Sequence, residues 1–210
     1  MIKALLLIFE PIATWERIFR ARRSVIFIFL LYVLPLLVLS SAAEAYGLYH
    51  WGKVQGQGEI ERLKKFSINE VFIFEAAQVL LFVLIIFVCA QLVKSIGETF
   101  HGRHTYNQAF TTVAYGLGPL LLFRCLDAFP GISPWVSWPI GIILSIGVLY
   151  QGVPRMLEPD PPHAFGLYFM SALLLFLITG LTRFVTACYL EGKFAKLQSL
   201  ISGLAARLPF

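Results

Sequence analysis

The sequence predicts an all-α, polytopic integral membrane protein, a five-helix transmembrane bundle with interfacial helices at its amino and carboxyl ends. Composition is the first reason. Of 210 residues, 58% are hydrophobic and 14% charged, against roughly a quarter charged in a soluble domain, and mean hydropathy is +0.77. The second reason is the placement of charge. Residues 24–43, 76–93, 131–154 and 164–182 contain no Asp, Glu, Lys or Arg, and each is near or above the ~18 residues that cross a hydrocarbon core as a helix. Residues 109–123 form a shorter run, extended to Leu126 by letting Arg124 snorkel or pair. The chain divides accordingly into an interfacial amphipathic segment (1–23), a membrane domain (24–190) and an amphipathic tail (191–210).

In the first segment Pro11 suits the first turn of a helix, where its missing N–H costs nothing. After it Trp15, Ile18 and Phe19 share one face, and Glu16, Arg17, Arg20 and Arg23 the other. That pattern describes either a helix lying flat on a membrane, apolar side down, or an ordinary collar of snorkelling basic residues before the first span. Lys3 and an apolar run precede it, but Glu10 and Pro11 interrupt the run and no small-residue cleavage site follows, so a cleaved signal peptide is not expected. In the first span Pro35 frees the carbonyl of Leu31 and predicts a kink. Residues 44–70 are the longest connection, with GKVQGQG reading as flexible and IERLKKF as a short amphipathic helix. Ser67 and Glu70 then form a capping box at the start of the second span.

Residues 99–120 read TFHGRHTYNQAFTTVAYGLGPL. Gly102 supplies the conformational freedom of a tight turn, and Thr105 with Gln108 repeats the capping box. In the third span Pro119 frees the carbonyl of Tyr115, while Gly116 and Gly118 permit close approach of a neighbour. Residues 127–134 allow only a tight turn between antiparallel helices, and Trp135 and Trp138 follow at interface level. Ser137, Gly141 and Ser145 form a small-residue stripe suited to helix packing in lipid. Pro159, Pro161 and Pro162 stiffen the turn before the fifth span. In the tail, Phe194, Leu197, Ile201, Leu204 and Leu208 recur at helical spacing, predicting a second interfacial helix.

Chemistry-bearing motifs are sparse. There is no GxSxG, P-loop, HExxH or GxGxxG pattern, so neither enzymatic activity nor a cofactor is expected. Cys89, Cys125 and Cys188 lack metal or disulfide spacing. The net charge of +5 fits a membrane surface better than nucleic acid, because the basic residues flank the spans. Glu98, His101 and His104 in one turn, with Asp160 and His163 in another, are weak metal candidates. A closed zinc site takes four ligands, and the preferred reading is that these histidines cap helices and meet lipid phosphate, with no metal assigned. Within the spans, Glu75, Gln78, Arg124 and Arg183 interrupt apolar sequence and are functional candidates by default. The expected arrangement pairs Glu75 with one arginine and leaves Asp127 or water to serve the other, fixing the bundle. The alternative is that they line a pathway.

The Gly-containing turn, the Thr-Tyr-x-Gln start at Thr105 to Gln108, and the Tyr115-Gly116…Pro119 helix resemble, in that order, the signature region of the Yip family of Ypt/Rab-interacting membrane proteins and their prokaryotic relatives. The PxxxW lead-in at Pro11 and Trp15, and the LYQGVPR stretch with Tyr150, Gly152, Pro154 and Arg155, resemble the same family. The resemblance implies a non-enzymatic scaffold or adaptor for a protein or lipid partner, and a small-molecule or ion carrier is the alternative. Eukaryotic members carry a long cytosolic amino-terminal region that engages Rab GTPases; this chain has about two dozen residues before its first span, implying a short prokaryotic-type form in an inner membrane. Expected partners are the bilayer and a membrane or cytosolic protein, not nucleic acid, with self-association into a homo-oligomer left open. Candidate partner-binding residues are His101, Gly102, His104, Tyr106, Arg155, Asp160 and His163. With the amino terminus cytoplasmic and the carboxyl terminus outside, Lys3, Arg17, Arg20, Arg22, Arg23, Lys94, Arg103 and Arg155 lie inside. Lys53, Arg62, Lys64, Lys65, Lys193, Lys196 and Arg207 then lie outside. Those totals nearly tie, and the basic cluster before the first span sets the preference.

Overall fold

The computed structural model describes residues 2–55, 62–102, 104–129 and 131–206. Two short helices come first, α1 (Ile2–Phe9) and α2 (Pro11–Ala21). The first span, α3 (Val25–His50), starts at Ser24, whose hydroxyl accepts from the Phe27 N–H at 3.4 Å. Pro35 cannot donate, and the helix absorbs it through a wider turn over Phe29–Val33, in which the Leu34 N–H reaches back to the Phe29 carbonyl. The second span, α4 (Ile68–Thr99), opens on the Ser67/Glu70 capping box. The third span covers Tyr106–Ala128 in two pieces, α5 (Tyr106–Gly116) and α6 (Gly118–Arg124), followed by a 3₁₀ turn over Cys125–Ala128. The fourth span is α7 (Pro134–Leu157), the fifth ends in α8 (Ala164–Leu190), and α9 (Ala195–Ala205) closes the described chain.

The third span is the hub. In its most apolar window 78% of residues are buried within the protein, against 28% for the fifth span, and every α5 residue from Ala109 onward is buried. Being wrapped by protein, this span tolerates Thr111 and Thr112, whose hydroxyls donate to the carbonyls of Asn107 and Gln108 one turn back at 2.6 and 2.8 Å. The break at Leu117 is supported from outside. The Leu120 N–H donates to Ser145 Oγ at 3.2 Å, and Gly141 lets α7 lie directly against Leu120. The Ser137-Gly141-Ser145 stripe therefore packs within the chain, onto the third span. The outer helices turn apolar residues outward, as in the exposed stripe Leu80, Leu84 and Val88 of α4. Facing hydrocarbon, that stripe incurs none of the cost it would have in water.

Two expectations need correction. Residues 62–64 are not helical: β2 (Arg62–Lys64) pairs antiparallel with β1 (Lys53–Gln55), Lys53 opposite Lys64 and Val54 opposite Leu63. Seven residues nucleate a helix poorly, and Gly52, at φ +74, turns the chain into a hairpin where a side chain would meet the Lys64 carbonyl. The rest of that turn, 56–61, lies outside the described residues. Second, the apolar side of α2 does not face lipid. Trp15 and Ile18 are buried against the bundle, because α7 offers a fitted seat there. The expected interfacial helix α9 is also anchored to the bundle on one side. Gln198 donates to the Tyr189 carbonyl at 2.7 Å, Ser202 to Glu70 Oε1 at 2.6 Å, and Ile201 packs by Leu48, Phe66, Val71 and Phe74. Arg103, Arg207 and Leu208 fall outside the described residues, as do the side chains of Leu197 and Leu204.

Candidate functional site

Two polar regions occupy opposite ends of the bundle. One lies toward the hairpin and the α6–α7 turn. Gly47 allows α3 to touch the backbone of Ala128, which brings Glu44, one turn earlier, onto the third span. There Arg124 is held by two carboxylates: its Nε donates to Glu44 Oε2 at 2.9 Å and its Nη2 to Glu75 Oε2 at 3.0 Å. The guanidinium also lies 5.0 Å from the Phe82 ring. Arg183 on α8 pairs with Asp127, and its Nε donates to the Pro134 carbonyl at 3.3 Å. Ser137 joins them, donating to Asp127 Oδ1 at 2.5 Å and accepting from Arg183 at 3.2 Å. All five spans are thus tied by charge-assisted bonds.

All five ionisable groups are nearly sealed from solvent, none more than 8% exposed. Three carboxyl groups and two guanidiniums share the site, and Lys53 at the hairpin base adds a cation within electrostatic reach of Asp127 and Glu44. Burial holds Lys53 below the ordinary lysine range, with Asp127 and Glu44 pulling in the opposite direction. The adjoining cavity, lined by Gln78, Arg124, Asp127, Trp138 and Arg183, measures about 20 Å³. That holds one water molecule, for which roughly 10–15 Å³ suffices. Gln78 Nε2 and Arg124 Nη1 have no protein partner among the described residues, and one water would accept from both. Glu75, Gln78, Arg124, Asp127 and Arg183 are therefore brought together. Glu44 was not anticipated, because an uncharged-run criterion ended the first span one residue before it.

At the other end, the face carrying α1 and α2, the family-motif residues converge on Trp15. Pro11 starts α2, and Trp15 inserts its indole over Gly152, donating from Nε1 to the Val148 carbonyl at 3.0 Å. A Cβ on Gly152 would overlap the indole, and one on Gly116 would overlap Leu149. Tyr115 meets Trp15 edge-on at 6.3 Å and lies 4.2 Å from the Tyr32 ring. Thr105 and Gln108 form the capping box of α5, and Pro119 starts α6 beyond the break. Tyr150, half exposed, meets Tyr168 edge-on and lines, with Pro154 and Arg155, an open groove of about 600 Å³ between α7 and α8.

The sequence matches the Yip1 domain over residues 5–184. The chain belongs to the Yip1 family. No curated protein and no solved structure matches it. It is a multi-pass membrane protein of that family, and the matched region runs from within α1 to within α8, so that the Trp15 joint and the buried ion network both lie inside the Yip1 domain.

The candidate partner-binding residues of the α4–α5 and α7–α8 turns separate into two kinds. His101, Asp160 and His163 are exposed, and their donor atoms lie within 4.8 Å of one another; the two histidine rings are 5.6 Å apart. They offer three of the four donors of a closed zinc site. His104 turns inward instead, with its ring over Gly97 and Nε2 3.3 Å from the Lys94 carbonyl. Glu98 is taken by Lys94 at 3.3 Å. Gly102 donates to the Gly97 carbonyl at 2.8 Å and has His104 against its open side, so it closes the turn. Tyr106 is half buried on Phe110, and Arg155 is bound to Gln151 on its own helix.

Proposed function

We propose that this Yip1 domain is a non-enzymatic scaffold or adaptor in a cell (inner) membrane, holding a protein or lipid partner at the face that carries α1 and α2, with that face cytoplasmic. One observation carries the reading. The α1–α2 face is open, with a basic recess of about 340 Å³ between the amino-terminal helices and α5, whereas the ionisable groups among the spans are paired with one another around space for a single water. A static bundle with a recessed docking face suits a binding role. Arg17, Arg20, Arg22 and Arg23 before the first span support the orientation.

The carrier reading keeps one specific support, the unpaired Gln78 and Arg124 donors beside the small cavity. Photo-crosslinking in intact membranes separates the two. A crosslinker at Arg155 or Tyr106 should trap a discrete partner, while one at Leu80 on the lipid-facing side should not. Equal labelling from all three positions, together with solute uptake by reconstituted vesicles that Gln78→Leu abolishes, would replace the scaffold with the carrier.

A further inference from the structure

The basic recess does not end at the polar surface. Lys3, Arg23, Ile28 and Tyr115 line it, and the same four residues line a second, adjoining cavity of about 290 Å³ whose other walls are Ile2, Phe27, Leu31 and Tyr32. Its upper part is polar and cationic, with Lys3, Arg22 and Arg23 against the single carboxylate of Glu158. Below, Leu31 lies six residues into α3, roughly 9 Å along the helix at 1.5 Å per residue. Leu31 and Ile2 are largely exposed on that side, so the groove opens sideways toward hydrocarbon.

We propose that this two-part cavity binds an anionic glycerophospholipid, the phosphate seated among Lys3, Arg22 and Arg23 and an acyl chain running down the groove beside Phe27 and Leu31. The inference rests on the binding role proposed above and names the ligand class for that face.

Four observations converge on it. First, the cations lack acidic ion-pair partners among the described residues. The one carboxylate in the wall cannot neutralise three positive groups, and Lys3, partly buried with Arg23 beside it, is held below the ordinary lysine range, the response of an ammonium that lacks an anion. Second, the first turn of α5 supplies Thr105, Asn107 and Gln108 to the wall, and a helix amino terminus favours negative charge. Third, a polar atom of a recess-lining residue, Asn107 Oδ1, has no partner among the described residues. The Asn107 amide is already oriented, donating from Nδ2 to the Arg23 carbonyl at 3.0 Å, so Oδ1 awaits a donor such as a glycerol hydroxyl of the headgroup. Fourth, of the three non-glycine residues with positive φ among the described residues, Arg22 at +40 and Glu158 at +44 both line this recess, where they end α2 and α7. The two left-handed helix ends place their side chains at the recess wall.

A free phosphate shares the headgroup chemistry, and only the groove distinguishes it. The test uses the full chain purified in detergent, with lipid retention read by native mass spectrometry and thermal stability read in parallel. Dioleoyl phosphatidylglycerol should be retained and should raise the melting temperature; phosphatidylcholine with the same chains should do neither. Inorganic phosphate and glycerol phosphate at matched concentration should have little effect, and stabilisation by them equal to that of the lipid would overturn the lipid assignment. Lys3→Gln with Arg23→Gln should weaken phosphatidylglycerol retention about thirtyfold, whereas Lys64→Gln at the hairpin end should leave it unchanged. Should the double variant not fold, Glu158→Gln decides: removing the one carboxylate should tighten retention severalfold. Unchanged retention in that variant, or equal retention of both lipids, would overturn the site. Loss of the lipid site with a protein crosslink from Arg155 intact would leave the scaffold reading standing and remove this one.

Discussion

The two ends of the bundle treat charge in opposite ways. At the hairpin end, Arg124 and Arg183 are sealed, each on carboxylates of other elements, and the remaining space admits about one water. At the α1–α2 face, Arg22 and Arg23 are exposed, Lys3 has Arg23 rather than an acid beside it, and the backbone is held in left-handed conformations at Arg22, His101 and Glu158. A buried charge without a partner is too costly to persist in a membrane, so the closed end reads as a clamp. Open, unneutralised and strained surface reads as a place kept for something else. The difference shows why intramembrane charge alone was an ambiguous guide to function here.

The largest expected effect falls on the clamp. Arg124→Leu leaves Glu44 and Glu75 facing each other without a counter-charge. Breaking a buried pair in this way costs about 3–5 kcal/mol, and the variant should melt far below the parent in detergent. Converting all three together, with Glu44→Gln, Glu75→Gln and Arg124→Met, should recover most of the loss, because a neutral set of similar volume avoids the desolvation of three charges. A single Arg124→Leu variant that melts like the parent would remove the contrast between the two ends.

Next comes the joint that holds the open face together. Trp15→Ala removes a wholly buried indole and its bond to the Val148 carbonyl. Large aromatic truncations cost about 3–5 kcal/mol when the site cannot collapse, and here much of the loss should be local, releasing α2 while the spans stay packed. Hydrogen exchange should therefore rise in residues 11–21 and not in α4. Gly152→Val should act alike through overpacking, at about 1–3 kcal/mol, since its Cβ would occupy the indole's place. Exchange rising uniformly through all five spans would mean that α2 is part of the core rather than a docked lid on the open face.

Much of this architecture was legible. Five spans and both capping boxes follow from local patterns, because charge-free length and capping geometry are local properties. What failed had non-local causes. Glu44 escaped because an apolar run ends at its first charge, whereas the helix continues to His50 once Arg124 compensates that charge. The third span looked the weakest for the reason that makes it central: protein surrounds it, so it needs less apolar sequence. Trp15, Ile18 and Phe19 formed a recognisable face, but amphipathicity does not reveal whether lipid or α7 receives it. Gly152 and Gly116, more than a hundred residues away in sequence for Gly152, decided that. The pairing of Lys53–Gln55 with Arg62–Lys64 was hidden because polar three-residue strands leave almost no periodic signal.

The smallest effect sharpens the comparison most, because it separates stability from binding. Glu158 ends α7 and Arg22 ends α2, both in the left-handed conformation usually given to glycine. An L-residue there carries a cost of about 1–2 kcal/mol that glycine largely escapes, and glycine's greater freedom in the unfolded chain takes back about 0.4–1 kcal/mol of the gain. Glu158→Gly should thus stabilise modestly, by a degree or two in melting temperature, and Arg22→Gly likewise. Their effects on anion retention should oppose each other, since the first deletes the recess's carboxylate and the second one of its cations. His101→Gly, at φ +57 and away from the recess, should stabilise similarly with retention unchanged. Were Arg22→Gly and Glu158→Gly both to melt below the parent, their side chains would be holding the helix ends through contacts that outweigh the backbone cost. The strain would then be ordinary capping, and the open face would differ from the closed one in charge alone.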